Sequence, residues 1–441
     1  MSSLHDSFLD GLPAGWKFDR FKDVVSLRDE KTDEASAEED YLELEDLDSG
    51  TGRILSRRNT LEVGSAVTLF KTSDVLFGKL RPYLEKYWVA EFNGKCTGEI
   101  LAFKPQRIAS RFLFYCLGSR WFIERCNALA YGAKMPRVSW PTQLSQFNLP
   151  LPPLPEQQRI AAYLDASCAA IDVAVSAKRR QIEALDGVRK DLIQKAVIRG
   201  LEKYPALKKT GNVWMNELPV TWELVSLKRV SEIQGGLTLG KVYEGQLIER
   251  PYLRVANVQD GHLNLQDVSI IEVPEEVAYR VQLRPGDVLM TEGGDLDKLG
   301  RGTVWSGEIP DCLHQNHIFA IRCFKHKLLP AFLAYLTASR YGRDYFEATG
   351  KRTTNLASTN STKVGLFPIP RPSISEQHAI CQFLDEKLNY VAQIVNGIES
   401  QITTLNAYRK SLIHECVTGQ RRITEADLAR VRRAETESTR A

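Results

Sequence analysis

Pro155-Glu-Gln-Gln-Arg-Ile160 and Ser375-Glu-Gln-His-Ala-Ile380 decide how this chain is read. They lie 220 positions apart, and the same offset aligns Leu164-Asp165 with Leu384-Asp385 and Gln181-Ile182 with Gln401-Ile402. It continues through Leu185 and Leu405, Arg189-Lys190 and Arg409-Lys410, and Leu192-Ile193 and Leu412-Ile413. Each block follows a proline-rich run, Leu149-Pro-Leu-Pro-Pro-Leu-Pro155 and Phe367-Pro-Ile-Pro-Arg-Pro372. So many matches in one register identify an internal duplication.

Both blocks read as helix. From Glu156 to Arg199 there is no proline and a single glycine, Gly187. Seam positions fall at 164, 168, 171, 175, 178, 182, 185, 189, 192 and 196, and again from 384 to 416, in alternating steps of four and three. That is a heptad seam. About 40 residues make a helix of roughly 60 Å, longer than the ~30 Å diameter of a 150-residue domain. The two helices are therefore expected to pack on each other as a coiled coil outside the globular parts. Arg189, Arg409 and Lys178 sit on the seam, where charge fixes register, marks where another protein packs, or snorkels to solvent.

The upstream parts match more loosely. Leu12-Pro13 with Trp16 recurs as Leu218-Pro219 with Trp222, and Tyr41–Leu47 as Tyr252–Val258, followed by Gly50 and Gly261. Asp74-Val-Leu-Phe77 recurs as Asp287-Val-Leu-Met290. The offsets drift from 206 to 213, so these parts have diverged by insertion and deletion. Residues 61–104 and 252–322 read as short strands and turns, and 107–129 and 327–347 as one amphipathic helix each. Polar loops follow at Gly132–Arg137 and Gly350–Asn355. The order is globular, helix, globular, helix.

Across 441 residues, 43% hydrophobic and 9% aromatic content is that of a globular protein. No run approaches the ~18 apolar residues of a membrane span, and the first residues lack signal-peptide features. A cytoplasmic protein is expected. Eight cysteines are scattered without a CxxC pair, which implies neither a disulfide framework nor a zinc knuckle.

The net charge of +3 conceals an asymmetry. Residues 29–48 hold eleven acids and one base, whereas 49–148 hold fifteen bases and six acids. The bases include Arg53, Arg57-Arg58, Lys79, Arg81, Lys86, Lys134 and Arg137, near Tyr83, Tyr87, Trp88 and Trp140. Such a field suits phosphate contact and base reading. The candidates are Lys79, Arg81, Tyr83, Lys134 and Arg137 in the first part. In the second they are Lys298, Arg301, Gln315, Asn316, His317, Lys351, Arg352 and Asn355. Any one of them reads equally as a solvated face.

Catalytic chemistry finds no support. Gly235-Gly-Leu-Thr-Leu-Gly240-Lys241-Val242 has a phosphate-loop skeleton, but Val242 replaces the magnesium-binding hydroxyl, so a solvated turn is expected. Cys312, His314, His317 and Cys323 match no common zinc spacing. No nucleophile, metalloprotease or cofactor motif occurs, so neither catalytic nor metal residues are assigned.

The paired Glu-Gln blocks, with their Leu-Asp and Arg-Lys…Leu-Ile continuations, resemble the repeated regions of the specificity subunit of type I restriction–modification enzymes, HsdS. Ser73-Asp-Val-Leu-Phe77 with Gly78-Lys-Leu-Arg-Pro-Tyr83 is similar to the family's target recognition domains. So are Gly286-Asp-Val-Leu-Met290, Gly300-Arg-Gly-Thr-Val-Trp305 and His314-Gln-Asn-His317.

The resemblance implies an α+β fold: two mixed α/β recognition domains separated by two long helices that form an antiparallel coiled coil, a pseudo-twofold repeat. The domains would be 1–150 and 202–370, the helical spacers 151–201 and 371–420, and 421–441 a C-terminal tail. The chain would be a non-catalytic subunit, each recognition domain reading half of a bipartite double-stranded DNA site. Two modification subunits and two restriction subunits would assemble with it, and these would carry S-adenosylmethionine, ATP and Mg2+. Leu164, Arg189, Lys190, Leu384, Arg409 and Lys410 are the expected partner-binding positions. The acidic stretch 29–48 is expected off the DNA groove or against a partner. The competing reading is a coiled-coil scaffold with β-rich protein-binding domains.

Overall fold

The computed structural model describes residues 11–32, 40–59, 67–259, 261–294, 299–352 and 357–440. The chain divides into two compact units, residues 1–179 with 399–441, and residues 180–398. Two long helices run Leu154–Arg199 and Ile374–Val417. Each unit takes one globular part, the first portion of the helix that follows it in sequence, and the last portion of the other helix. This division cuts across the linear boundaries expected at 151–201 and 371–420, because each helix contributes to two cores.

The two units repeat one sheet. In the first, an antiparallel sheet has the order Val25–Leu27, Ile100–Pro105, Val75–Gly78, Tyr87–Val89. In the second, Ser231–Gly235, Ile318–Cys323, Asp287–Thr291 and Gly302–Val304 take the same places. Val75–Gly78 and Asp287–Thr291 are buried along their whole length, which explains their continuous apolar runs. A parallel pair recurs as well: Leu42 lies opposite Cys96, and Leu253 opposite His314. Each proline-rich run forms a strand in a two-stranded pair, Asn148–Leu151 with Lys17–Arg20 and Pro368–Arg371 with Glu223–Ser226. In such a pair each strand is an edge, where proline is tolerated.

A buried carboxylate begins each central strand. Asp74 accepts from Arg28 at 2.8 and 3.2 Å and from the Lys71 N–H at 2.8 Å. Asp287 accepts from Arg322 at 2.9 and 2.8 Å and from the Arg284 N–H at 2.8 Å. The equivalent carboxylates thus recruit bidentate arginines from different places, one just beyond the strand Val25–Leu27 and one within Ile318–Cys323.

Segments 107–129 and 327–347 depart from the expected single helices. Each is a pair, Ser110–Leu117 with Arg120–Leu129 and Pro330–Ala338 with Arg340–Thr349. Ser119 and Ser339 make the break. Their hydroxyls donate to the carbonyls of Cys116 (2.7 Å) and Leu336 (2.6 Å), ending one helix. The same oxygens accept from the N–H groups of Phe122 (3.4 Å) and Gly342 (3.3 Å), capping the next.

The Glu-Gln blocks now acquire a physical role. The Gln157 side chain is buried; its Oε1 accepts from the Ala109 N–H at 2.8 Å and its Nε2 donates to the Pro152 carbonyl at 2.9 Å. Gln377 accepts from the Leu329 N–H at 2.8 Å and donates to the Pro372 carbonyl at 3.0 Å. In each unit one amide fastens the proline-rich run to the start of a short helix, satisfying main-chain groups that would otherwise be stranded.

The long helices do not stand outside the globular parts along their whole length. Ile160, Leu164 and Cys168 join the first unit's core, and Ile380, Cys381 and Leu384 the second's. Within the first unit the two helix portions run antiparallel: Lys178 donates to Gln401, Arg409 pairs with Asp172 at 2.7 Å, and Arg159 donates to the Ile423 carbonyl at 2.7 Å. Residues 421–441, expected as a tail, include the helix Glu425–Arg440, with Leu428 in the first unit's core. Leu154–Arg199 is long and apolar enough to span a membrane by composition alone, contrary to expectation; much of its apolar side packs into the chain's own core.

Candidate nucleic-acid interface

In both units the central strand ends in the same main-chain frame. Beyond Gly78, the Lys79 N–H donates to the Glu99 carbonyl at 2.9 Å, and the Lys79 carbonyl accepts from the Val138 N–H at 3.0 Å. Beyond Thr291, the Glu292 N–H donates to the His317 carbonyl at 2.8 Å, and the Glu292 carbonyl accepts from the Thr359 N–H at 2.7 Å. Lys79 matches Glu292, Glu99 matches His317, and the residues that close the frame, Val138 and Thr359, follow in sequence the polar loops expected at Gly132–Arg137 and Gly350–Asn355. The backbone is common and the side chains are not.

The first unit gathers all five of its sequence candidates here. The Arg81 N–H donates to the Pro136 carbonyl at 2.7 Å, and Tyr131 and Arg137 exchange main-chain hydrogen bonds at 3.0 and 2.9 Å, tying residues 79–85 to 131–138. Arg81 and Glu85 both have φ of +50°, a left-handed conformation that costs non-glycine residues about 1–2 kcal/mol. Such strain is held where surrounding structure over-determines it. Arg137 is clamped by Glu99 through Nε (3.0 Å) and Nη2 (3.1 Å) and donates to the Met135 carbonyl at 3.2 Å. Its guanidinium is a brace for the loop. Lys79 and Lys134 form no ion pair with described residues and remain available to an anion. Tyr83, Tyr131 and Met135 are 53%, 59% and 46% exposed, which places rings and a thioether able to stack on or wedge between bases beside the cations. Tyr131 and Met135 are additions to the sequence candidates, since only the fold shows that the 131–138 loop exposes them beside Lys79 and Arg81.

The bases immediately upstream behave differently. Arg58 engages Glu43 at 2.9 Å, Asp46 at 3.0 Å and Glu45, and Arg57 lies 3.7 Å from Asp40. Asp46 is wholly buried and also accepts from Ser56 and from the Glu43 N–H at 2.8 Å. Much of the acidic stretch is therefore neutralised within its own unit. Asp33, Glu34, Glu38 and Glu39 lie outside the described residues. Arg53 likewise pairs with Asp172 at 2.5 Å.

In the second unit His317 Nδ1 meets the Glu292 carboxylate at 2.6 Å. Gly293-Gly294 pairs with Ala357-Ser358, which pairs with Lys351-Arg352, so Lys351 joins the same strand end. Arg301 precedes Gly302, which pairs with Met290, and this brings it to the other flank of that end. Gln315 donates its N–H to the Leu253 carbonyl at 2.9 Å, and Asn316 to Leu237 at 2.9 Å. Lys298 and Asn355 lie outside the described residues, and Arg352 is placed by its main chain alone.

No helix follows Gly240-Lys241; Gly240 and Gly245 turn the chain at φ of +79° and +96°. His314 is buried, with Nδ1 donating to the Val281 carbonyl at 2.9 Å, while His317 faces Glu292. Among the described residues no cluster could hold a metal ion.

Residues 13–184 match the model of the type I restriction modification DNA specificity domain. The EcoBI specificity subunit of Escherichia coli is 24% identical over 394 residues, 80% of each chain. The EcoKI specificity subunit of Escherichia coli K12 is 24% identical over 326 residues, 72% of this chain and 67% of that one. The MjaX specificity subunit of Methanocaldococcus jannaschii is 26% identical over 206 residues, and the match spans only 47% of its length. Among solved structures, one on complex assembly and conformational transition of the type I R-M system contains a chain with a TM-score of 0.70 at 20% identity, covering 92% of this chain and 98% of that one. The HsdS subunit from Thermoanaerobacter tengcongensis has a TM-score of 0.52 at 19% identity over the same shares, and both share the fold.

Over most of its length the chain is similar to type I specificity subunits.

In this chain the positions expected to bind partners fall into two groups. Leu164 and Leu384 are fully buried in their own units and have no side-chain surface to offer. Arg409 is occupied by Asp172 and by the Thr51 carbonyl at 3.4 Å. Lys410 reaches Glu85 at 2.7 Å but stays more than half exposed. Arg189 and Lys190 pair with Asp186 of their own helix, at 3.5 and 2.7 Å, and remain on the surface.

Proposed function

We propose that the chain is the DNA-recognition subunit of a type I restriction–modification complex, each strand-end frame reading one half of a bipartite site. The observation that carries this is the shared frame itself: equivalent main-chain bonds present Lys79, Glu99 and the Tyr131–Arg137 loop in one unit, and Glu292, His317 and Lys351 in the other. Phosphate contacts from Lys79 and Lys134 would position the duplex, and side chains on the loops would read base edges.

The chain supplies recognition without catalysis. In this proposal S-adenosylmethionine, ATP and Mg2+ belong to modification and restriction subunits, the paired helices set the spacing between half-sites, and the complex is cytoplasmic. Deleting one heptad from both helices would shorten a helix by about 10 Å, near three base pairs, and the spacer of the methylated motif would shorten to match. The direct test is fluorescence anisotropy with the modification subunit present. Sequence-selective binding that weakens steeply with salt is expected. A protein-binding scaffold would show neither property, and that result would overturn the reading.

A further inference from the structure

The repeat breaks at one place inside the units. In the first, Arg111 and Phe114, three residues apart on the helix Ser110–Leu117, fill the space between that helix and the long helices. The Arg111 guanidinium binds the Asp165 carboxylate, 3.1 Å from Nε to Oδ1, and lies 4.4 Å from the Phe114 ring centre. The Tyr115 hydroxyl donates to the same carboxylate at 2.6 Å. Phe114 packs on Tyr87, with ring centres 5.0 Å apart, and so tightly on Gly52 that a Cβ there would overlap its ring. Arg409, held by Asp172, closes the rim.

In the second unit the carboxylate and tyrosine persist, with the Tyr335 hydroxyl donating to Asp385, but what filled the space is gone. Ala331 stands for Arg111, Ala334 for Phe114, Gly302 for Tyr87 and Ala392 for Asp172. A cavity of about 1000 Å³ results, walled by Ala331, Ala334, Ala338, Tyr335, Asp385 and Arg189 among others. This is at the upper end of ligand-site volumes, roughly 300–1,000 Å³. Asp385 meets no cation among the described residues. Without Ala392's counterpart carboxylate, Arg189 turns to Asp186 on its own helix.

We propose that this cavity is a docking site for a partner protein that inserts an arginine and an aromatic ring three residues apart on one helix. The guanidinium binds Asp385 and the ring lies on the Ala331–Ala334–Ala338 face. The first unit supplies the template, because it fills the equivalent space with that pair from its own chain. Only the second unit carries the vacancy, so the assembly built on the two units is unequal at this point. The inference rests on the chain working in a modification complex, and the modification subunit is the partner probed.

The experiment is to co-express the full chain with that subunit and measure their association by isothermal titration after separation. Ala331→Arg with Ala334→Phe, which recreates the first unit's packing, is expected to weaken association at one of two sites by about tenfold or more. Its thermal unfolding should be no lower than that of the unaltered chain. Asp385→Asn, at an exposed helical position, is expected to weaken the same site and decides the question should the filled variant not fold. Unaltered affinity in both variants alongside normal binding by the parent chain overturns the docking site. A parent chain that does not bind the modification subunit at all overturns the proposed function, and this inference with it.

Discussion

Lys79 and Glu292 occupy one position in two copies of the same frame and carry opposite charge, whereas Gln157 and Gln377 occupy another and are identical. The difference lies in which atoms make the bonds. At the strand ends every shared hydrogen bond is main chain to main chain, so any residue that permits extended backbone completes the frame and the side chain is free to differ. At the glutamines the side-chain amide makes both bonds, and only an amide of that length can accept from a helix start while donating to a proline-run carbonyl. Divergence follows main-chain bonding and identity follows side-chain bonding.

The comparison can be broken at its most buried point. Asp74→Asn and Asp287→Asn each remove the buried carboxylate that a bidentate arginine pairs with, and each is expected to cost about 3–5 kcal/mol by urea titration, less for Asp74 because Arg28 keeps Glu30 at 3.5 Å. A large loss in only one unit would show that the equivalent carboxylates are not equivalent in energy. Gln157→Leu and Gln377→Leu come next, each stranding a helix-start N–H and a carbonyl, at about 1–3 kcal/mol per unit.

A third prediction sets the units apart by pH. His314 and Cys96 fill the same place on equivalent strands. Burial, the leading cause, holds the His314 imidazole below its ordinary value of 6.5, against smaller opposing effects from carbonyls and Asp287. The unfolded chain then binds the proton more readily, so the second unit loses stability as pH falls below 6.5 and holds it above. Burial pushes the Cys96 thiol up to about 12, and it stays neutral throughout that range. Hydrogen exchange from pH 7.5 to about 5.5 should therefore show protection falling in 313–323 and not in 94–105. His314→Gln should flatten the response. Equal loss in both strands would contradict it.

The smallest effects fall at the proposed interface. Lys79→Ala and Lys134→Ala should each lower the salt slope of DNA binding by about one and weaken all sequences alike. Arg137→Ala should instead relax selectivity at one half-site, because it releases the loop that Glu99 holds.

Much of this organisation was legible in the residues. The fixed 220-position offset revealed two helices and two copies, and the drifting offsets marked where the copies differ. The helix breaks were also written there, as Gly118-Ser119 and Ala338-Ser339, but a serine reads as a cap only when its neighbours' geometry is known. The sharing of each long helix between two cores was hidden, because a heptad seam does not say what fills it. The role of Arg137 was hidden for a similar reason: its partner Glu99 lies 38 residues away on another element. Counting charge likewise overstated the basic field, since Arg57 and Arg58 answer acids of the stretch before them.

The central claim is that two like frames carrying unlike side chains read two halves of one site. Single-molecule methylome sequencing of a host with and without this gene tests it most directly. The account predicts one two-part motif, with an unlike sequence in each half, whose methylation disappears when the gene is removed. An unchanged methylome, or the loss of a single continuous motif, would contradict it.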